Sequence, residues 1–227
     1  MDVPVLAYII VAVAAYLLGS IPTGYLVAKA KGIDIRSVGS GNIGATNAMR
    51  VLGKPAGIFV MIMDAAKGYG AVYFGSLMVK HLMDNRSTAS PGSHDEFVAL
   101  ENAAQFLPVI AGICAVLGHN YTCWLKFKGG KGIATTAGVY LALAPVALGI
   151  ALAAFILTVL ITRYVSLGSI IAAIVLPVAV WFMNENMVLR IVTIALCALA
   201  IYKHKSNIKR LMAGTESRFG KKPEETK

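Results

Sequence analysis

Charge is scarce in this chain. Asp, Glu, Lys and Arg supply 14% of its 227 residues, too few to cover a soluble domain of that length. Acids are scarcer still, 11 against 21 Lys and Arg, and the basic loops between the apolar runs hold no cluster of carboxylates. A Mg²⁺ or other metal site is therefore not expected, which argues against metal-dependent phosphatases and CDP-alcohol transferases. The three cysteines, Cys114, Cys123 and Cys197, show no paired spacing, so neither a disulfide framework nor a zinc site is read from them. Cys114 and Cys197 fall in apolar runs and read as packing residues, Cys123 as a reduced thiol in a basic loop. No G-x-S-x-G elbow occurs, which removes a hydrolase-type serine nucleophile.

What is abundant is apolar sequence. The chain is 57% hydrophobic with a mean hydropathy of +0.71, the composition of an all-α polytopic integral membrane protein. A net charge of +10 could suggest nucleic acid, but the basic residues sit between long apolar runs, and positive-inside orientation explains them better. No nucleic-acid partner is expected. Residues 3–28 carry no charge, follow the acidic Asp2 and precede Lys29 and Lys31, an order that puts the N-terminus outside and is too long for a signal peptide. Pro22 should kink or end the first helix near its inner end. The next loop, 29–54, holds Lys29, Lys31, Arg36, Arg50 and Lys54 against Asp34 alone and reads as cytoplasmic. A second helix is expected over 56–79 and a third over 103–117. Between them, 80–102 mixes acids, Asn, Ser, Pro and Gly and reads as a flexible outer loop, where His81 and His94 do no chemistry.

Residues 133–162 carry no charge and could form one tilted helix. One crossing, however, would strand the basic tail, 203–227, outside. Two crossings with a turn at Ala144-Pro145 return it to the cytoplasm, as helices of about 14 residues, roughly 21 Å each against a ~30 Å hydrocarbon core. Two further helices, over 167–182 and 187–202, flank an outer turn at Met183-Asn184-Glu185-Asn186. The count is about seven transmembrane helices, N-terminus outside and C-terminus cytoplasmic; the fallback is five plus a re-entrant hairpin. The chain, 1–227, reads as a single membrane-embedded domain. With either count the polar clusters face the cytoplasm.

The leading cluster is Gly39-Ser40-Gly41-Asn42-Ile43-Gly44-Ala45-Thr46-Asn47, with Arg50 behind it. Its glycines let backbone N–H groups turn toward one point, and Ser40, Asn42, Thr46 and Asn47 add neutral hydrogen-bonding groups, which is how a protein holds a phosphate. Thr46 can cap a short helix and offer its dipole to the anion; the plainer reading is a small-residue turn. Asp64 and Lys67 stand at i, i+3 inside the second apolar run and read equally as a structural ion pair or as site-lining groups. Gly129-Gly130-Lys131-Gly132 joins close backbone approach to a phosphate-seeking lysine. It is not a Walker A loop, since Leu125 stands where the first glycine belongs and Ile133 follows. Lys126 and Lys128 are phosphate ligands or contacts to anionic lipid. His119 either orients that loop or binds substrate. Ser166, in the polar stretch 163–169, is a further binding candidate. His204, Asn207 and Arg210 at i, i+3, i+6 could share one face of a continuing helix, with His204 either catalytic or merely solvated and Glu216 capping or pairing with the tail. No His is followed five positions on by Asp; Arg86, Ala99, Trp124 and Lys209 stand there, which excludes the His/Asp pair of common glycerolipid acyltransferases.

Taken together, Gly19-Ser20-Ile21-Pro22-Thr23-Gly24, the Gly39 to Asn47 run with Arg50, Asp64 with Lys67-Gly68, Gly118-His119, Phe127 to Gly132, and His204 to Glu216 resemble the bacterial acyl-phosphate:glycerol-3-phosphate acyltransferases, the PlsY family, over nearly the whole chain. The resemblance implies a multi-pass enzyme of the bacterial cytoplasmic membrane, its site facing the cytoplasm, transferring a fatty acyl group from acyl phosphate to the 1-hydroxyl of glycerol 3-phosphate to give lysophosphatidic acid. It implies that Ser40 and Arg50 are required, that Gly129 to Gly132 shape the glycerol-3-phosphate site, that His204 and Asn207 support activity, and that Glu216 is structural. No cofactor is called for; the expected partners are the two substrates, membrane lipid and, transiently, the enzyme that makes acyl phosphate. Two stretches depart from the family pattern: Thr122-Cys123-Trp124, and a longer outer loop over 83–102. An acyl phosphate has a good leaving group, so binding two anions together and stabilising charge matters more than a strong base. Either a substrate phosphate oxygen or His204 takes the hydroxyl proton. The competing class is a transporter of phosphorylated solutes, disfavoured because the polar groups lie on one side only.

Overall fold

The structure, a computed structural model, describes residues 3–86, 94–183 and 186–220. Among these the chain is built from α-helices and one 3₁₀ turn, with no strand. In order they are α1 (Val3–Ser20), α2 (Thr23–Lys29), α3 (Ala45–Leu52), α4 (Lys54–Arg86), α5 (His94–Asn120), the 3₁₀ turn Cys123–Leu125, α6 (Ile133–Leu143), α7 (Pro145–Thr162), α8 (Val165–Met183), α9 (Met187–Lys203) and α10 (Lys205–Met212). Proline explains two of the breaks. Pro22 brings no N–H to continue α1, so the chain steps through Ile21-Pro22 before α2. Pro145 opens α7, where its missing donor is harmless, after Ala144 leaves the helical region.

Among the described residues four stretches are long and apolar enough to cross a bilayer: Val5–Lys29, Phe97–Leu125, Pro145–Thr162 and Val165–Met183; α9 with α10, bent by 55°, makes a fifth if the pair is one span. Large apolar side chains such as Ile62, Leu160, Ile161 and Phe182 stand on the outside of the fold, as expected where lipid rather than water is the solvent. The break expected at Ala144-Pro145 is present, but its two helices are unequal, 11 and 18 residues. Helix α6 rises only about 16 Å. Helices α4 and α5 also outrun the limits read from sequence and take in both ends of the presumed 80–102 loop; residues 87–93, with the core of that expectation, lie outside the described residues. Lys, Met, Leu, Glu and Ala are good helix formers, so a helix leaving the apolar layer continues into a polar segment. Of the outer turn before α9, Asn184 and Glu185 lie outside the described residues. Asn186 caps α9, its Oδ1 accepting from the Val188 N–H at 2.9 Å.

The chain divides into two compact units, Met1–Leu143 and Ala144–Lys227. In the first, Ala7, Val11 and Ala15 of α1, Ala71 of α4 and Ala103, Leu107, Ala111 and Ala115 of α5 form one buried cluster. Small side chains let helix backbones approach closely, the usual means of helix association in lipid. Helices α4 and α6 carry this furthest: a Cβ on Gly68 would strike the Thr135 carbonyl, and one on Gly138 the Ala65 carbonyl. In the second unit α8 packs against both α7 and α9.

Because the Gly138 contact meets backbone that cannot swing aside, Gly138→Val is expected to destabilise the protein by about 1–3 kcal/mol, read as a lower midpoint of thermal unfolding in detergent.

Candidate active site

The loop between α2 and α3 is organised from inside by one side chain. Asn47 is 2% exposed; its Oδ1 accepts the Ser40 N–H at 2.8 Å, and its Nδ2 faces the carbonyls of Asn42, Val38 and Ile35 at 2.9, 3.1 and 3.2 Å. Asn42 Oδ1 takes the Gly44 N–H at 2.9 Å, and the Gly41 N–H donates to the Val38 carbonyl at 3.1 Å. Gly39 and Gly41 adopt φ of +61° and +68°, and a Cβ on Gly39 would strike Asn47 Oδ1. At the loop's start Arg36 donates to Asp34 through its backbone N–H at 3.0 Å and through its guanidinium at 2.9 and 2.6 Å. Those bonds hold the Asp34 carboxyl down at about 2.

Three of the loop's amides, those of Ser40, Gly41 and Gly44, are engaged by the loop's own acceptors, and Asn47 is buried as the staple that binds the loop together. Thr46 is not a cap, since Gly44 occupies that position and no side chain caps α3. What the loop offers is the exposed hydroxyls of Ser40 and Thr46, with Arg50 half-buried on α3.

Deeper in the same unit lies a buried polar group. Lys67 Nζ is 2.8 Å from Asp64 Oδ1 and donates to the Ile21 carbonyl at 2.9 Å, so the pair fastens α4 to the break after α1. The neighbouring Ser20 carbonyl accepts from the Thr122 hydroxyl at 2.6 Å, and the Tyr16 hydroxyl donates to the Tyr121 carbonyl at 2.8 Å. Carbonyls left over at a helix end need such donors when no water reaches them. His119, also buried, brings Nδ1 to 3.6 Å from Asp64 Oδ1.

The glycine loop is stitched to the end of α5. The Gly129 N–H donates to the Asn120 carbonyl at 3.2 Å and the Gly130 N–H to the His119 carbonyl at 3.0 Å. Gly130 lies against the imidazole, where a Cβ would strike Nε2. Here too the first two glycine amides are occupied internally; Lys131, half-buried, and Gly132, at φ +81°, lead into α6. Lys126 and Lys128 are exposed beside the exposed rings of Trp124 and Phe127, which favours the lipid-headgroup reading of that pair. Leu125 joins Ile35, Ile43, Ala48 and Val60 in a single buried cluster, so the segment leading to Lys131 is held beside the segment carrying Ser40.

In the second unit the expected continuous helix bends at His204. The buried imidazole faces the Ala200 carbonyl through Nδ1 at 2.8 Å; a carbonyl only accepts, so Nδ1 carries a proton, and whenever the ring is neutral the lone pair is on Nε2. Glu216 gathers its neighbours: Oε1 accepts from Asn207 Nδ2 at 2.7 Å and Ser166 Oγ at 2.8 Å, Oε2 from Arg210 Nε at 2.6 Å. Burial pushes the Glu216 carboxyl up, but those three donors outweigh it and hold it below its ordinary value. Ser166, read as a substrate contact, thus serves Glu216. Among the described residues no three His, Cys, Asp or Glu gather where a metal could be held.

A family model described as "Glycerol-3-phosphate acyltransferase" matches residues 9–214. The chain belongs to that family. It is an acyltransferase in an apolar, membrane-type helical fold. It is 46% identical to the glycerol-3-phosphate acyltransferase of Trichlorobacter lovleyi over 205 residues, 90% of this chain and 94% of the relative. With that of Geotalea daltonii it shares 42% over 211 residues, 93% and 97% of the two chains. The crystal structure of PlsY, an integral membrane glycerol 3-phosphate acyltransferase, in its glycerol 3-phosphate form superposes with a TM-score of 0.79 at 36% identity, covering 94% of this chain and 96% of that one. The lysophosphatidic acid form superposes at 0.76 and 35%, covering 94% and 95%.

Within this acyltransferase, sequence reading missed Tyr16 and Thr122. A hydroxyl in an apolar helix and one in a presumed departure from the family pattern gave no sign of which carbonyls, about a hundred residues away, they serve. Replacing Asn47 by Ala leaves buried loop carbonyls without a donor, costing about 1–3 kcal/mol. Through displacement of Ser40 it should lower kcat/KM by about a hundredfold, measured on detergent-purified protein.

Proposed function

We propose that this acyltransferase moves a fatty acyl group from acyl phosphate to the sn-1 hydroxyl of glycerol 3-phosphate. The observation that carries the reading is the shared cluster of Leu125, Ile35 and Ile43, which keeps a Ser/Arg loop and a Gly/Lys loop side by side on an otherwise apolar body. Two adjacent loops of opposite charge to their ligands suit a reaction between two phosphorylated molecules. The relatives' names and the glycerol 3-phosphate and lysophosphatidic acid forms of PlsY support the acceptor and the product.

In this reading Ser40, with Thr46, holds the acyl phosphate, Lys131 holds the phosphate of glycerol 3-phosphate, and Arg50 offsets charge as it develops. The glycerol oxygen attacks the acyl carbonyl carbon, the bond from that carbon to the phosphate oxygen breaks, and inorganic phosphate departs. The hydroxyl proton passes to a phosphate oxygen, so the protein supplies position more than basicity. His204, with Nε2 as its lone-pair nitrogen, is the competing proton acceptor, and Asn207 supports activity through its tie to Glu216.

The same reading places the protein in a bacterial inner membrane with seven crossings, formed by α1, α4, α5, α6, α7, α8 and α9. The N-terminus lies outside and the basic loops face the cytoplasm, as the positive-inside bias requires. The short α6 crosses where the bilayer thins around it. The enzyme supplying acyl phosphate, a labile and membrane-partitioning substrate, is proposed to dock on that cytoplasmic side.

Detergent-purified protein, with no second compartment, is expected to turn over the two substrates. Lys131→Met should raise KM for glycerol 3-phosphate about tenfold or more, with little change in KM for acyl phosphate. An equal rise for both would refute the phosphate assignment. In a pH–rate profile, His204→Gln should keep the wild-type shape. Loss of the acid-side limb would instead make the histidine the base.

A further inference from the structure

The buried trio Asp64, Lys67 and His119 is left without a role by the chemistry above, and its cost calls for one. Burying an ion pair seldom stabilises a protein more than well-packed apolar side chains would, and α4 needs no help from these charges to remain a helix. Asp64 and Lys67 nevertheless have side chains 3% and 5% exposed, deep in an apolar bundle.

Their contacts form a chain. Lys67 reaches back to the Ile21 carbonyl at the α1–α2 break, and Asp64 holds the ammonium at 2.8 Å. On its other side the same Asp64 oxygen faces His119 Nδ1 at 3.6 Å, beyond a hydrogen bond but close enough for charge to orient the ring in a low dielectric. Against that ring lies Gly130, close enough that no Cβ could fit before Nε2, while the Gly130 N–H bonds to the carbonyl of His119 itself. Gly130 is therefore bonded to His119 through its backbone and packed against its imidazole, and the next residue is Lys131.

We propose that Asp64 and Lys67 act through His119 as a positioning relay that sets the placement of the Gly129–Gly132 loop, and so of Lys131, for glycerol 3-phosphate. None of the three is a catalytic residue; each acts through the loop. Of the two readings the sequence left open for His119, this proposal takes the one in which it orients the loop, and it gives the Asp64–Lys67 pair a part in that placement in preference to direct substrate contact. The inference rests on the reading that Lys131 holds the glycerol 3-phosphate phosphate group.

The test is steady-state kinetics on detergent-purified variants, with thermal unfolding to confirm folding. The double variant Asp64→Asn/Lys67→Met removes both charges at once and leaves no lone buried ion. It is expected to raise KM for glycerol 3-phosphate by about five- to tenfold while shifting KM for acyl phosphate less than about twofold. His119→Gln should do the same and carries the test alone if the double variant does not fold. Because all three act along one path, the triple variant should be no more than about twice as impaired as the double. The relay is overturned by equal shifts in both KM values, by an unshifted KM for glycerol 3-phosphate in a folded variant, or by effects that multiply in the triple. Lys131→Met separates the two layers. If it leaves KM for glycerol 3-phosphate unchanged, the phosphate assignment fails and the relay with it. If it raises that KM while Asp64→Asn/Lys67→Met does not, the relay alone fails.

Discussion

A helix that stops inside an apolar protein leaves carbonyls that water cannot reach, and the break at Ile21-Pro22 imposes that problem on this fold. The Ile21 carbonyl takes the Thr23 N–H locally at 3.0 Å, and the remaining donors come from two distant elements. Lys67 donates to the Ile21 carbonyl and Thr122 to the Ser20 carbonyl, so α4 and the segment after α5 are both drawn to the end of α1. Once Lys67 is buried its charge needs a counter-ion, which Asp64 provides one turn earlier. The polar floor beneath the glycine loop follows from satisfying one interrupted helix.

The loops above obey the same economy. A loop of turned-out amides would be a strong anion site, but amides left facing an apolar bundle are also a liability. Here side-chain and carbonyl acceptors take the amides of Ser40, Gly41 and Gly44 in the first loop and of Gly129 and Gly130 in the second. Rigid backbone then presents a small number of side chains: Ser40, Thr46, Arg50 and Lys131. Such a surface suits a reaction whose donor is already activated and whose main demand is the alignment of two anions.

Much of this was legible in the residues. The helical membrane character, the interruption at Pro22, the second break at Pro145 and the Asp64–Lys67 pairing all follow from local composition and i, i+3 spacing. Glu216 as the partner of the tail was also within reach, although its bonds to Ser166 and Asn207 were not. The six residues between Ser40 and Asn47 form a shape that no spacing rule announces, so Asn47 looked like one more ligand. Helix ends were misplaced where polar residues continue a helix beyond the apolar layer, because propensity there outweighs hydropathy.

Composition and the order of charges determined that the chain is a helical membrane protein and which segments are polar, since those properties depend on solvent preference summed over short windows. The match of its motifs to a family determined what class of enzyme it is. Only the tertiary structure decided which polar groups stay exposed and which are consumed in holding others. That choice depends on partners such as Ser20 with Thr122 and Ile21 with Lys67, which meet only after the helices have packed.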